Sequence, residues 1–537
     1  MLDYSYKSKP FDHQHERFLL YRNKRFHGHL WEQGTGKSKV IIDTAAWLYG
    51  QGEIDCLLII APNGVHRGWI KDQVPDHMPD YTNYRAAWYS SSPTRKEKEQ
   101  LLDVLKYRGG LKIIAINVEA FQSSKGTAFA RELLNMMRCL MVVDESSTIK
   151  GHKAIRTKNI IKIGIHAPYK RILTGTPITQ GPLDLYTQFT FLDSHCLRSA
   201  SYYGFRNRYA IMKEQRVAGR SFMQVTGYTN LDELQEILAK HSDRVTKAEC
   251  LDLPDKLYQK RYVELSDNQR RLYNALKKDL LVEFNGMKLS APLALTKLLR
   301  LQQIVGGFFT ADKEVINDYD ELLDWDDTGM ADSGSSVGPI SSQDTKGPVA
   351  IDETNPRVTA LLDLLEETQG KVIIWARFRA EIEAISQALM EKFGRNSVVE
   401  YHGGIKNEDR SRAIELFQGE HIETEQKWSG GVCTFEHTRV PIPKEKQAKY
   451  FVGHVQAGGK GLTLTAASTV VYYSNDFSLE NRLQSEDRAH RIGQVNHVTY
   501  IDFIAINTLD DKVVTVLRNK KNMADIITGD EKMEEWI

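Results

Sequence analysis

The sequence predicts an α/β fold with two parallel-sheet lobes and a helical insertion between them. Three features predict it. Short runs of continuously apolar residues end in polar or glycine-rich turns, helix-length segments separate these runs, and the whole texture occurs twice along the chain. A strand that is apolar at every position is buried on both faces, the condition of a parallel sheet covered by helices.

In the first lobe, residues 1–195, the runs are CLLIIAP (Cys56 to Pro62), LKIIAIN (Leu111 to Asn117), CLMVVDE (Cys139 to Glu145) and RILTGTP (Arg171 to Pro177). LLDVLKYR and FARELLNMM have the composition of the helices between them. KVIIWAR, SVVEYHG, KYFVGHV, STVVYYS and VTYIDFIA repeat the pattern over residues 355–510, the second lobe. Residues 196–310 read as a helical insertion rich in Lys, Arg, Tyr and Gln. One of its helices is expected to begin at Ser266, with Gln269 closing a capping box. Residues 311–354 are acidic and then Ser/Gly-rich, the composition of a linker or loop. A sharper reading makes that segment an acidic mimic of DNA that blocks a groove. Residues 511–537 form the expected C-terminal helical tail.

Bulk properties narrow the class. At 537 residues, 41% hydrophobic and 26% charged, the chain has the make-up of a soluble globular protein of several domains. A net charge of +1 provides no global positive field, so a nucleic-acid groove would have to be locally basic. Cys56, Cys139, Cys196, Cys250 and Cys433 are scattered without a CxxC pair, which argues against a disulfide scaffold or zinc finger. No apolar stretch has the length of a signal or membrane span, so a cytosolic protein without membrane contact is expected.

Three segments carry chemistry. In WEQGTGKSKVIIDTAAWLY (Trp31 to Tyr49), Gly34 and Gly36 let backbone N–H groups approach a triphosphate. Lys37 supplies a cation for the β- and γ-phosphates, Ser38 a hydroxyl for magnesium, and the helix that follows its positive dipole end. The strict pattern would place glycine at position 31, where this chain has Trp31. MVVDESS (Met141 to Ser147) ends an apolar strand in two adjacent carboxylates. Asp144 is assigned to magnesium and Glu145 to the attacking water, a division phosphoryl transfer requires. In LENRLQSEDRAHRIGQ (Leu479 to Gln494), Arg488 and Arg491 lie three apart and would share one helix face. From a second lobe they could neutralise the transferring phosphoryl group only on closure, coupling hydrolysis to motion.

With those residues in place, QSEDRAHRIGQ resembles the sixth motif of the Snf-type DNA translocases in helicase superfamily two, the chromatin remodellers and their bacterial and viral relatives. The other motifs appear in order. Gln14 in FDHQHERF resembles the upstream glutamine that reads adenine, and EQGTGKS the first motif, placing Gly34, Thr35, Gly36, Lys37 and Ser38 on the nucleotide. IIAPNGVHRGW resembles motif Ia, and VVDESS the second motif, normally an Asp-Glu-Ala-His box. LTGTPITQGPLDLYTQFTFL is similar to the third. VTKAECLDLPDKLYQKRYVELSDNQRRLY resembles the segment opening the family's second half, KVIIWARFR the fourth motif and VQAGGKGLTLTAASTVVYYSNDFSLENR the fifth. The likeness extends from roughly residue 10 to 520.

The resemblance implies two RecA-like lobes, ATP and Mg2+ as cofactors, and double-stranded DNA rather than RNA as the track of a monomeric motor. It implies coupling roles for Thr174, Gly175, Thr176 and Gln484, and contacts to nucleotide and DNA backbone from Gly459, Gly461 and Thr463. Members grip phosphates without base readout, so affinity should be salt-sensitive and sequence-tolerant. This chain departs from the pattern at Ser147, where the second motif has histidine, and at Gln456, Lys460 and Thr463 in the fifth. Residues 420–448 lengthen the approach to the fifth motif and are expected to form a surface hairpin. His421, Cys433 and His437 fall there, three potential ligands where a tetrahedral site needs four.

Aromatic and basic residues mix at His66, Arg67 and Trp69, and at Trp375, Arg377, Phe378 and Arg379. Arg67 and Arg377 are the candidate phosphate contacts, beside the plainer reading of core tryptophans with solvated arginines. No bromodomain-, chromodomain- or zinc-ribbon-like segment is visible. A stand-alone bacterial or bacteriophage motor in the cytoplasm is therefore expected, or a nuclear one in a eukaryote. The expected activity is ATP hydrolysis coupled to movement on duplex DNA. Its alternatives are a fork-unwinding or annealing helicase, and a nucleotide-gated DNA clamp with little turnover.

Overall fold

The computed structural model describes residues 4–217, 220–285, 291–309, 348–429, 432–458 and 462–528. Strands β1 (Phe26–Trp31), β2 (Cys56–Ala61), β3 (Tyr84–Trp88), β4 (Leu111–Asn117), β5 (Cys139–Asp144) and β6 (Tyr169–Leu173) are separated by helices. A hairpin of β7 (Ala210–Val217) and β8 (Arg220–Tyr228) precedes β9 (Ser242–Val245) and β10 (Lys256–Val263). The short pair β11 (Phe308–Phe309) and β12 (Val349–Ala350) leads to β13 (Lys371–Ala376), β14 (Val398–Tyr401), β15 (Glu420–Ser429) and β16 (Val432–Pro441). β17 (Tyr450–His454), β18 (Ala467–Tyr472) and β19 (Val498–Ala505) follow.

The chain divides into two compact units, the first mainly the segment up to Ile211 with Val225–Leu253, the second mainly Pro254–Asn519. In the first, seven strands lie in the order β3-β4-β2-β5-β6-β1-β9, and every pairing is parallel. The runs CLLIIA and CLMVVD are buried at every position, as continuously apolar strands in the middle of a covered sheet must be. In the second, six strands lie in the order β10-β19-β18-β13-β17-β14, again all parallel. Each unit is an α/β lobe built on a parallel sheet, as expected.

The order places function before any side chain is considered. β5, β6 and β1 are neighbours, and parallel strands deliver all their C-terminal turns to one sheet edge. The turns after β1, β5 and β6 are those carrying Lys37, Asp144–Glu145 and Thr174–Thr176, so the sheet gathers them where such folds place ligands.

The stretch 196–310 is not wholly helical, which corrects the expectation. It contains the helices Tyr202–Tyr209, Leu231–His241, Asp267–Asn285 and Ala291–Val305, but also the β7–β8 hairpin, β9 and β10. β9 and β10 are edge strands of the two sheets. With a neighbour on one side only, SDRV and KLYQKRYV can keep charged residues, and apolar continuity therefore misses them. Polar His27 and His29 hide β1 (FHGHLW) in the same way, although the strand is buried.

Other expectations hold. Ser266 Oγ accepts from Gln269 N and Ser266 N donates to Gln269 Oε1, both at 3.0 Å, a reciprocal box at the head of Asp267–Asn285. β15 and β16 pair antiparallel from Glu420↔Pro441 to Ser429↔Val432, the hairpin expected over 420–448. His421 lies on β15, whereas the side chains of Cys433 and His437 lie outside the described residues. Most of the acidic segment, residues 311–347, also lies outside them. The helix Asp510–Thr528 accounts for the start of the tail. Among the described residues, no helix is long and apolar enough to cross a membrane.

Candidate nucleotide-binding site

The loop after β1 is shaped by two glycines in the left-handed region, Gly34 (φ 83°) and Gly36 (φ 87°). Gly36 also has no room for a side chain, since a Cβ there would lie 1.9 Å from Gln14 Nε2. Gln14 is buried against the loop: its Oε1 accepts from Phe11 N at 3.0 Å and its Nε2 donates to Thr35 O at 3.1 Å. His13 Nε2 reaches the same carbonyl at 2.8 Å, and Thr35 Oγ1 donates to Glu32 O at 2.8 Å. The helix Lys37–Gly50 starts at Gly36 with no side-chain cap, leaving its first-turn N–H groups to an anion. Lys37 Nζ folds back on the loop, donating to Trp31 O (2.8 Å) and Glu32 O (3.0 Å), and Ser38 sits in the first turn, half-buried.

Asp144 closes β5. Its Oδ1 accepts from Glu145 N at 3.0 Å and its Oδ2 from Trp69 Nε1 at 2.8 Å. Burial holds this carboxyl above the usual range, although the Trp69 bond, the Lys37 charge and the Glu145 amide all pull it down. Lys37, on the turn after β1, and Asp144, at the end of β5, lie at the same edge of the parallel sheet. Glu145 adopts φ 49°, a left-handed conformation costing a non-glycine residue about 1–2 kcal/mol. Gln33 Nε2 donates to its Oε1 at 3.3 Å, a direct bond between phosphate loop and second carboxylate. Such a strained turn next to a perturbed acid is characteristic of a functional site.

The turn after β6 is the third wall. Thr174 is buried and its Oγ1 accepts from Thr176 N at 3.1 Å. Gly175 presses on the loop: a Cβ would lie 3.1 Å from Gln33 N and 3.3 Å from Trp31 O. From β9, Arg244 donates to Leu30 O (2.6 Å) and Gly175 O (3.2 Å) and sits 3.6 Å from Glu32.

Gln33, Arg244 and Gln188, whose Oε1 accepts from Ser146 Oγ at 2.6 Å, were not singled out from the sequence. Nothing local marked the last two. Trp69 is 1% exposed, as the reading of core tryptophans beside solvated arginines expects, and its indole also serves Asp144. A buried indole needs an acceptor, and that was the available signal.

Asp144 and Ser38 bring oxygen donors to one edge of the sheet, a donor set that fits a hard divalent cation such as magnesium. A second cluster with ligand chemistry, His27, His29 and Asp243, lies buried beneath the loop. There, one carboxylate oxygen accepts from His27 Nε2 (3.0 Å) and His29 Nδ1 (2.8 Å), the other from Trp31 Nε1 (2.8 Å), and Arg17 lies 3.7 Å away. The hydrogen bonds account for the carboxylate, and Arg17 opposes a further cation.

In the second unit, Arg488 belongs to the helix Leu479–Ala489, whereas Arg491 follows in the next turn. The shared helix face is thus corrected, because the helix ends before Arg491. Both still converge: Arg488 NH1 (3.2 Å) and Arg491 NH1 (3.0 Å) donate to Leu462 O. Burial holds the Arg491 guanidinium below its usual range. Gln484 is buried and donates to Glu480 Oε1 at 3.2 Å. Thr463 is half-buried, and Gly459 and Gly461 lie outside the described residues. Arg67 is half exposed, 3.6 Å from Glu97, while Arg377 is half-buried and donates to Gln302. Of the two candidate phosphate contacts, Arg67 has the freer surface.

The family model of the SNF2-related domain matches residues 17–306, more than half of the chain. The chain is 25% identical over 434 residues to a putative ATP-dependent helicase/translocase, YwqA, of Bacillus subtilis, covering 78% of this chain and 39% of that protein. It is 25% identical to the TATA-binding protein-associated factor MOT1 of Saccharomyces cerevisiae, over 73% of this chain and 20% of that one. The chain therefore spans well under two thirds of the length of these relatives. A solved Sulfolobus solfataricus SWI2/SNF2 ATPase core in complex with dsDNA is similar at 19% identity and a TM-score of 0.39, over 99% of this chain and 95% of that one.

Proposed function

The chain belongs to the SNF2-related family, and from that premise we propose that it is a motor that hydrolyses ATP while tracking along duplex DNA. The observation that carries this reading is the joining of phosphate loop and paired carboxylates: Gln33 is bonded to Glu145, and the charge of Lys37 acts on Asp144. A lone glycine loop or a lone acidic strand end would be unremarkable. Their union at one sheet edge supports phosphoryl transfer to water.

In this mechanism Lys37 and the first-turn N–H groups bind the β- and γ-phosphates, and Gln14 faces the adenine. Ser38 and Asp144 would hold magnesium, which when bound supplies positive charge against the phosphate oxygens. Glu145 orients the attacking water and draws off its proton. Arg488 and Arg491 offset charge as the phosphoryl group transfers, and Thr174–Thr176 respond to the nucleotide. The track is proposed as duplex DNA from the family and from the translocase description of the Bacillus relative. Arg67 is the proposed phosphate contact.

ATPase assays with and without duplex DNA test the reading. Turnover should rise with DNA, Glu145→Gln should lose roughly 10²–10⁴-fold, and Arg491→Ala should lose on the order of 10³-fold or more while still binding nucleotide. Arg67→Ala should weaken DNA binding at every sequence and reduce the salt slope by about 1. Wild-type turnover in the Glu145 and Arg491 variants would refute the assignment. Triplex displacement without fork unwinding would identify a duplex tracker, and unwinding a strand-separating helicase. DNA binding without phosphate release would instead favour the clamp, a reading kept open by Ser147 in place of histidine.

A further inference from the structure

The two residues that follow Glu145, Ser146 and Ser147, depart from the family's Asp-Glu-Ala-His pattern, and the first of them has a buried partner. Ser146 Oγ lies 2.6 Å from Gln188 Oε1, and both residues are fully buried. The carboxamide cannot be turned over, because its nitrogen donates to Pro177 O and Asp184 O, both at 2.8 Å. Oxygen therefore faces Ser146 and the hydroxyl is the donor. Pro177 belongs to the turn that continues from Thr174–Thr176, so this amide joins the end of β5 to the turn after β6.

A second bridge runs in parallel. Lys150, closing the short helical turn Ser146–Ile149, donates from Nζ to Thr179 Oγ1 at 2.8 Å. Thr179 and Gln180 are in turn fixed on Asp184, whose Oδ2 accepts from Thr179 N (2.8 Å), Thr179 Oγ1 (3.0 Å) and Gln180 N (2.8 Å). The segment after the left-handed Glu145 is thus held at both ends to residues 177–184. These bonds connect that turn to Ser146, the residue whose peptide adjoins Glu145.

We propose that Gln188 is a positioning residue, which with Ser146 ties the orientation of Glu145 to the turn Pro177–Asp184 and so makes hydrolysis responsive to whatever engages that turn. This rests on reading the chain as a DNA-stimulated ATPase. A contiguous hydrogen-bonded path suggests coupling, and only a double-mutant cycle measures it.

The experiment compares ATPase, with and without duplex DNA, for the full chain and for Ser146→Ala, Gln188→Leu and the double variant. Melting temperature and the KM for ATP are measured alongside. The DNA-stimulated kcat should fall about tenfold, within the range of site-to-site coupling, with KM for ATP unchanged. Ser146→Ala should add little to Gln188→Leu, because the bond it removes is already lost with the carboxamide. Thr179→Val, which cuts the second bridge without touching the buried pair, should give a smaller loss of the same kind. Wild-type stimulation in both single variants would overturn the proposal, as would losses that multiply independently or that merely follow lowered stability and raised KM. A wild-type chain without DNA stimulation would instead overturn the functional reading on which it rests.

Discussion

Asp144 and Asp243 are both buried in the first unit, and each accepts a tryptophan indole N–H at 2.8 Å, from Trp69 and Trp31 respectively. Their carboxyls nevertheless move in opposite directions. Asp144 is pushed up by burial, which Trp69, the Lys37 charge and one amide do not offset. Asp243 is also pushed up by burial, but His29 and His27 outweigh that and hold it far below the usual range. One indole bond, then, does not decide a carboxylate's character; the remaining partners do. Asp243 has its charge satisfied within the protein and serves the fold. Asp144 stays raised at the sheet edge where the proposed cation would bind, as its proposed role in chemistry requires.

The comparison is most directly broken by exchanging each acid for its amide. Asp144→Asn should lower ATP turnover by roughly 10²–10³-fold, the scale of losing one preorganised electrostatic contact, without lowering thermal stability. Asp243→Asn should instead destabilise by about 1–3 kcal/mol or more, since buried donors lose a charged acceptor, while folded molecules keep their turnover. Turnover lost at position 243 with unchanged melting would reverse the assignment.

Acid should separate the regions next. Burial lowers His27 from its ordinary 6.5 to about 3. The unfolded chain thus binds more protons than the folded one across that interval, and stability from this group is complete above pH 6.5 and lost as pH falls toward 3. Depressed Asp243 acts with the same sign. Urea unfolding followed by tryptophan fluorescence should show stability falling by up to about 1.4 kcal/mol per pH unit, and His27→Phe should flatten the slope. The smallest effect is expected from the indoles themselves. Trp69→Phe should cost about 1 kcal/mol in transition-state stabilisation, a severalfold loss of kcat/KM, while Trp31→Phe should cost a similar amount in folding stability.

How far the chain could be read in advance varied by element. The middle strands, the loop Gly34–Ser38, the pair Asp144–Glu145 and the capping box at Ser266 were legible because each is written in contiguous residues. β1, β9 and β10 were not, because their polar residues interrupt the pattern. The helix end before Arg491 was missed because three-residue spacing reports a face only while the helix continues.

The sequence by itself determined the two-lobe α/β architecture, the glycine loop and the acids and arginines to which the proposed motor chemistry is assigned. Only the tertiary structure decided their partners: Trp31 with Asp243 across 212 residues, Gln33 with Glu145 across 112, and Ser146 with Gln188 across 42. Local composition shows that a buried polar group needs a partner, but strand order and register choose which one arrives, and those are settled only when distant segments pack.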